Sequence, residues 1–115
     1  MITVTIRREH DQRISSFQVS GHANSGPYGY DLVCAGVSAI TFGSINAILA
    51  LCEKHLSIDQ ANDKGGYLHV NIPPIHEKKR QANVQLLLEG MIISLQTIER
   101  DYGKHIQIKE TSEVS

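Results

Sequence analysis

From its second residue the chain alternates apolar and polar side chains. Ile2, Val4 and Ile6 stand against Thr3, Thr5 and Arg7, a period of two that turns one face of a strand toward a core. Residues 13–20 repeat the pattern with Phe17 and Val19, and His10, Asp11 and Gln12 form the link of a predicted hairpin. Ile14 has the wrong parity for Phe17 and Val19, which leaves two readings open, a β-bulge or an exposed residue at the strand's start. The period then changes. Residues 32–56 carry Val33, Ala35, Val37, Ile40, Phe42, Ile45, Ala47, Ile48, Leu49 and Leu51 without a proline. This is a predicted helix, apolar nearly all round and so expected to be buried on most sides, with Lys54 and His55 suiting its C-terminal dipole. After the turn residues Asn62 to Gly66, Leu68, Val70 and Ile72 alternate with Tyr67, His69 and Asn71 until Pro73 and Pro74 stop the pairing. A second helix is predicted from about His76 to Tyr102, where Val84, Leu87, Leu88, Met91, Leu95 and Ile98 share one side. Ile106 and Ile108 make a short last strand, and the tail from Glu110 is expected to fray.

The predicted order is therefore β-β-α-β-α-β, an α+β domain built as a two-layer α/β sandwich with a four-stranded sheet and two helices. At 115 residues there is material for one core only, so residues 1–110 are expected to form a single domain and 111–115 a frayed tail. Apolar residues at 41% and charged residues at 20% argue against disorder. A formal net charge of -1 gives no field to attract a nucleic-acid backbone, so no direct nucleic-acid partner is predicted. No window was expected to supply the ~20 apolar residues that cross a bilayer, and no charged and greasy leader follows Met1; a cytoplasmic location without a membrane partner is expected. Only Cys34 and Cys52 are present, unlike a secreted disulfide scaffold. On one helix they would stand roughly 27 Å apart at ~1.5 Å per residue, whereas a disulfide needs Cα atoms within about 7 Å. Neither a Cys-x-x-Cys pair nor zinc-spaced Cys and His residues occur; no metal or cofactor is predicted.

The most irregular segment, Gly21 to Gly29, holds glycines, Pro27 and small polar residues, the composition of a surface loop. Cys34 follows it, in what the pattern makes the first turn of the helix, where unpaired N–H groups and the dipole favour a thiolate. Cys52 reads as packing. His22 ends the second strand twelve residues before Cys34, and a loop returning to a helix start can bring imidazole and thiol together. Such a pair would work as nucleophile and general base, with helix-start N–H groups holding the oxyanion; an isolated Cys and His are more often unrelated. Asp31 is placed either to cap the helix or to orient His22, and Ser38 either to bond a backbone carbonyl or to line the site. The loop lacks a P-loop ending and the G-x-G-x-x-G fingerprint. Glu77 to Arg80 reads as a solvated face, His69 and His76 lack a third metal ligand, and Tyr28 and Tyr30 either grip a substrate or pack the loop down.

Gly21-His22-Ala23, Gly29, Asp31, Val33-Cys34-Ala35 and Val37-Ser38-Ala39 together resemble the signature of the ribosomal-processing cysteine protease family Prp, also called YsxB. The likeness extends over essentially the whole chain. It implies a homodimeric endopeptidase that removes the N-terminal extension of large-subunit ribosomal protein L-twenty-seven. It also implies a His22 and Cys34 dyad, supported by Gly21, Asp31 and Ser38, with the intervening loop moving on substrate binding. Gly36 departs from the family's commoner alanine and is expected to loosen the helix's first turn.

Independently of the resemblance, Leu86, Gly90, Ile93 and Thr97 form a second stripe on the back of the later helix. It is either scattered surface or a two-fold dimer contact. Competing functions are a non-enzymatic ribosome-associated module that binds a peptide or RNA, and a thiol-dependent acyltransferase or thioesterase.

Overall fold

The period-two residues form strands, and those strands make one sheet. In chain order the elements are β1 (Ile2–Arg8), β2 (Ile14–Ser20), α1 (Pro27–Cys52), β3 (Ser57–Asp59), β4 (Tyr67–Asn71), α2 (Lys78–Tyr102) and β5 (Ile106–Ser112). The structure is a computed structural model. It describes residues 1–21, 27–60 and 67–112, with α1 side chains described from Leu32 onward. The sheet has five strands in the order β3-β4-β2-β1-β5, against the four expected. β5 runs parallel to β1 and the other pairings are antiparallel. The added strand, β3, is three exposed residues long, too short to show a period.

Ile2, Val4, Ile6, Phe17, Leu68, Val70 and Ile106 are buried on one face of the sheet beneath the two helices. The opposite face carries Thr3, Thr5, Gln18, Tyr67 and His69, so the molecule has two layers. Ile14 belongs to the core because of a bulge. Arg7 pairs with Ser16 and Arg8 with Ile14, which leaves Ser15 as the extra residue and turns Ile14 inward, fully buried. Gln85 of α2 fixes that bend by accepting from the Ile14 N–H at 2.8 Å and donating to its carbonyl at 2.9 Å.

α1 departs from expectation at both ends. It begins at Pro27, five residues early, and ends at Cys52. Glu53 adopts φ 52 and turns the chain out of the helix, so Lys54 and His55 lie beyond the last turn instead of within it. Nor is the helix buried on most sides. Val33, Val37, Thr41, Ile45, Ile48 and Cys52 face the core, while Leu32, Phe42 and Leu49 are 57%, 38% and 39% exposed. Leu32–Cys52 is in fact 21 residues long and apolar enough to cross a membrane by length and composition, contrary to the sequence expectation. Here its inner side packs into the core of a sandwich.

α2 keeps its predicted face, with Val84, Leu88, Met91, Ile92 and Leu95 buried. β5 runs to Ser112, so Glu110, Thr111 and Ser112, expected to fray, pair with Ile6, Arg7 and Arg8. An ion cluster helps to hold them. Arg8 donates to both Glu89 oxygens at 2.7 and 2.8 Å, to Glu110 at 3.1 Å and to the Gln12 carbonyl at 2.8 Å, joining the hairpin, α2 and β5. The Arg8 hydrogen bond lowers the Glu89 pKa against the opposing effect of burial. A depressed carboxylate contributes its stability above the ordinary carboxylate range and loses it as pH falls through the lowered value. Arg8→Ala is expected to cost about 1–3 kcal/mol near neutral pH. In urea titrations the variant and parent curves should converge as pH falls below the ordinary carboxylate range, and in high salt.

Candidate active site

One end of the sheet gathers the start of β1, the end of β2 and the starts of β4 and β5, since Ile2 pairs with Ile106, Thr3 with Ser20 and Ser20 with Tyr67. α1 begins at this end and α2 finishes there. Gly21 closes β2 in the left-handed region at φ +88, and a Cβ built on it would run into the Met1 carbonyl oxygen. Only glycine fits both the angle and the approach. The Gly21 backbone thus sets the direction in which the chain leaves toward His22. His22 itself, with residues 23–26, lies outside the described residues.

Cys34 is half-buried and packs against the core cluster, in the half of α1 nearest this end. It is not in the first turn. Seven helical residues precede it, so its N–H belongs to the internal hydrogen-bond ladder and the free donors of the first turn lie at least a full turn away. Thiolate stabilisation and oxyanion binding by those donors, expected from the sequence, both lose their basis; activation of the sulfur must come from another group. Pro27 has the composition of a loop residue, but the first helical position also favours proline, and that is the signal that marks the true start. Asp31 is the fifth helical residue, not the cap, and its side chain, like those of Tyr28 and Tyr30, lies outside what is described. Ser38, one turn after Cys34, is exposed, and its carbonyl takes a 3.4 Å hydrogen bond from the Thr41 hydroxyl.

Gly36 lies in the third turn, not the first. A Cβ there would stand 3.1 Å from Ile98 Cδ1, so this glycine permits a close approach of α1 to α2 beside the Cys34 turn. Cys52, the other free cysteine, is only 7% exposed and sits at the opposite end of α1. A cavity of about 400 Å³ also lies at that opposite end, between the hairpin and the start of α2, lined by Arg13, Lys78, Gln81, Gln85 and Glu89 among others. Its Gln85 and Glu89 are engaged by Ile14 and Arg8, and no cysteine reaches it.

Of the sequence-predicted residues, the structure thus places Gly21 at one end of the sheet, Cys34 in the half of α1 nearest that end and Ser38 close to the middle of the helix. Comparison with known proteins adds the chemistry. The family described as Cysteine protease Prp matches residues 1–107. The ribosomal processing cysteine protease Prp of Bacillus subtilis is 46% identical over 108 residues, covering 94% of this chain and 96% of the relative, and that of Staphylococcus aureus is 39% identical with 94% and 97% covered. Among solved structures, the essential S. aureus ribosomal processing protease Prp with a covalently linked product peptide superposes with a TM-score of 0.84 at 38% identity, covering 96% of this chain and all of the other. SMU.848 from Streptococcus mutans reaches a TM-score of 0.85 at 29% identity, with 98% and 96% covered. A match across nearly the full length in both sequence and fold leaves one assignment: the chain belongs to the Prp family of cysteine proteases.

Proposed function

We propose that this protein is a cytoplasmic, cofactor-independent endopeptidase that removes the N-terminal extension of large-subunit ribosomal protein L-twenty-seven, with Cys34 as nucleophile and His22 as general base. One observation carries the choice of sulfur. A cysteine protease needs an accessible thiol, and of the two cysteines only Cys34 has one, Cys52 being buried in the core. His22 is the histidine that directly follows Gly21 at the end of β2, and His10, His55 and His76 belong to the far end of the sheet. The peptide-bound S. aureus structures support a peptide substrate.

In the proposed reaction the imidazole takes the Cys34 proton and the sulfur attacks the scissile carbonyl. The C–N bond then breaks as the imidazolium protonates the leaving amine. Water, deprotonated by the same imidazole, hydrolyses the thioester and frees the thiol. Because the thiol lies inside the helix and away from its positive end, imidazole carries the activation. Asp31 and Ser38 are supporting residues in this reading. The exposed stripes on α1 and α2, with Leu86 70% and Ile93 64% exposed, support a homodimer. The net charge of -1 supports a peptide rather than a nucleic acid as partner.

The test is incubation of the purified protein with the N-terminal peptide of the same organism's L-twenty-seven. Mass spectrometry should find a single cut that disappears when Cys34 is replaced, and an uncut peptide would remove the substrate assignment.

A further inference from the structure

The two edges of the sheet differ in length and in how they are closed. In the order β3-β4-β2-β1-β5 the outer strands are β3, with three residues, and β5, with seven. A very short edge strand offers few unpaired N–H and C=O groups, whereas seven residues offer a template on which another strand can add. Among the described residues no strand pairs with the outer side of β5.

The direction of each β5 amide follows from one backbone bond. The Ile2 N–H donates to the His105 carbonyl at 2.8 Å. In a parallel pair the N–H and C=O of one residue point to the same neighbouring strand, and those of the next residue point away from it. Gln107, Lys109 and Thr111 therefore turn their backbone groups to β1, and Ile106, Ile108, Glu110 and Ser112 turn theirs outward. The outward Ile108 N–H is not left open. It donates to Glu99 Oε2 of α2 at 2.7 Å, a charge-assisted bond of the strong kind. Lys109 and Glu110 then follow as exposed charges, a second feature that disfavours edge pairing.

Glu99 stands where the helix pattern calls for an apolar residue. On α2 the buried residues Val84, Leu88, Met91, Ile92 and Leu95 define the row that faces the sheet. At about 100° per residue Glu99 falls on that row, between the directions of Leu88 and Ile92 and one turn beyond Leu95. A carboxylate is a costly occupant of such a place unless a donor meets it, and the Ile108 amide is a donor. A leucine at 99 would complete the apolar row but would give the edge amide no acceptor.

We infer that Glu99 keeps the outer edge of β5 closed to strand addition, and that the occupant it excludes is the β5 edge of a second copy. An added strand needs the Ile108 N–H as a donor for its own carbonyl, and the α2 carboxylate already holds that proton. With the carboxylate gone the amide is unsatisfied, and an unpaired backbone donor is costly until a new acceptor reaches it. Ile106 and Ile108 then form the most β-prone part of the exposed edge, and two identical edges laid antiparallel close about a two-fold axis.

The test compares the assembly of full-length variants, each checked for folding by circular dichroism. By sedimentation at rising concentration, Glu99→Ala should form species of roughly twice the parent's mass or more. Glu99→Leu, which keeps the row apolar and cannot accept a hydrogen bond, should do the same. Glu99→Gln retains an acceptor oxygen and should sediment as the parent does. Val84→Ala, destabilised through the core without touching the edge, should also match the parent. Cysteine placement locates the contact. In a Cys34→Ser, Cys52→Ala background, a short bismaleimide should join Lys109→Cys chains when Glu99→Ala is also present and should not join them when Glu99 is retained. Parent-like sedimentation of either folded variant, Glu99→Ala or Glu99→Leu, overturns the inference. So does equal association of Val84→Ala, which makes general destabilisation the cause, or of Glu99→Gln, which makes charge the cause. Larger species that Lys109→Cys fails to cross-link put the contact elsewhere and overturn it as well.

Discussion

Cys34→Ala is expected to abolish peptide cleavage, with a loss of at least about 10⁴-fold in kcat for removal of a covalent nucleophile, while the melting temperature stays close to that of the parent. The sulfur is half-buried at the edge of the core, so its removal disturbs little packing. Cys52→Ala should behave in the opposite way. That side chain is buried at the C-terminal end of α1, and its loss should cost about 1 kcal/mol of stability with full activity retained. The same contrast applies to the histidines. His22→Ala should reduce kcat by about 10²–10⁴-fold as expected for a general base, whereas His105→Ala, at the start of β5 and held to the sheet by its carbonyl bond to the Ile2 N–H, should leave it unchanged. Undiminished cleavage by either Cys34→Ala or His22→Ala refutes the dyad.

How far the sequence led depended on the length over which each residue pattern could repeat. β1, β4 and α2 were legible because several buried positions recur at one period in each: Ile2, Val4 and Ile6; Leu68 and Val70; Val84, Leu88, Met91 and Leu95. β3 was not, since Ser57, Ile58 and Asp59 are a bare three residues whose pairing with β4 is a tertiary fact. The tail of β5 was missed because its residues after Ile108 are polar. Parallel pairing with β1 and the grip of Arg8 on Glu110 hold it in place, and neither leaves a local trace. The apolar run of α1 marks a helix, but apolar residues all round do not mean burial all round. A helix without charge from Leu32 to Cys52 is equally apolar whether a sheet or a second protein covers its outer side, and composition does not distinguish the two. At the site, Gly21 entered only through the family signature, because a left-handed turn against the Met1 carbonyl is a tertiary fact that leaves no period in the sequence. The helix start lies five residues earlier than the pattern suggests, which sets Cys34 about one and a half turns deeper, because Pro27 and Gly29 carry loop propensities that the helix overrides.

Gly21 is where fold and chemistry meet most tightly, and Gly21→Ala should damage both. A side chain at φ +88 costs about 1–2 kcal/mol in backbone strain, and the added Cβ meets the Met1 carbonyl, a backbone atom that cannot rotate aside. The end of β2 must therefore shift against β1, for a total loss of about 2–3 kcal/mol. If His22 is the base, the shift is delivered to the adjacent residue, and displacement of a catalytic group by about 1 Å is enough to reduce kcat by about 100-fold. Stability loss alone does not account for such a drop, and a matched control shows it. Val84→Ala removes a fully buried side chain near the start of α2, remote from this end of the sheet, and should cost a similar ~2 kcal/mol by cavity formation while sparing kcat. Gln12, a turn residue also in the left-handed region at φ 70, lies in the hairpin at the far end; Gln12→Gly relieves its strain, should hold or raise stability, and should also spare kcat. Equal melting temperatures for Gly21→Ala and Val84→Ala with unequal kcat values would tie the left-handed turn to the placement of His22. Equal kcat values would reduce Gly21 to a structural residue.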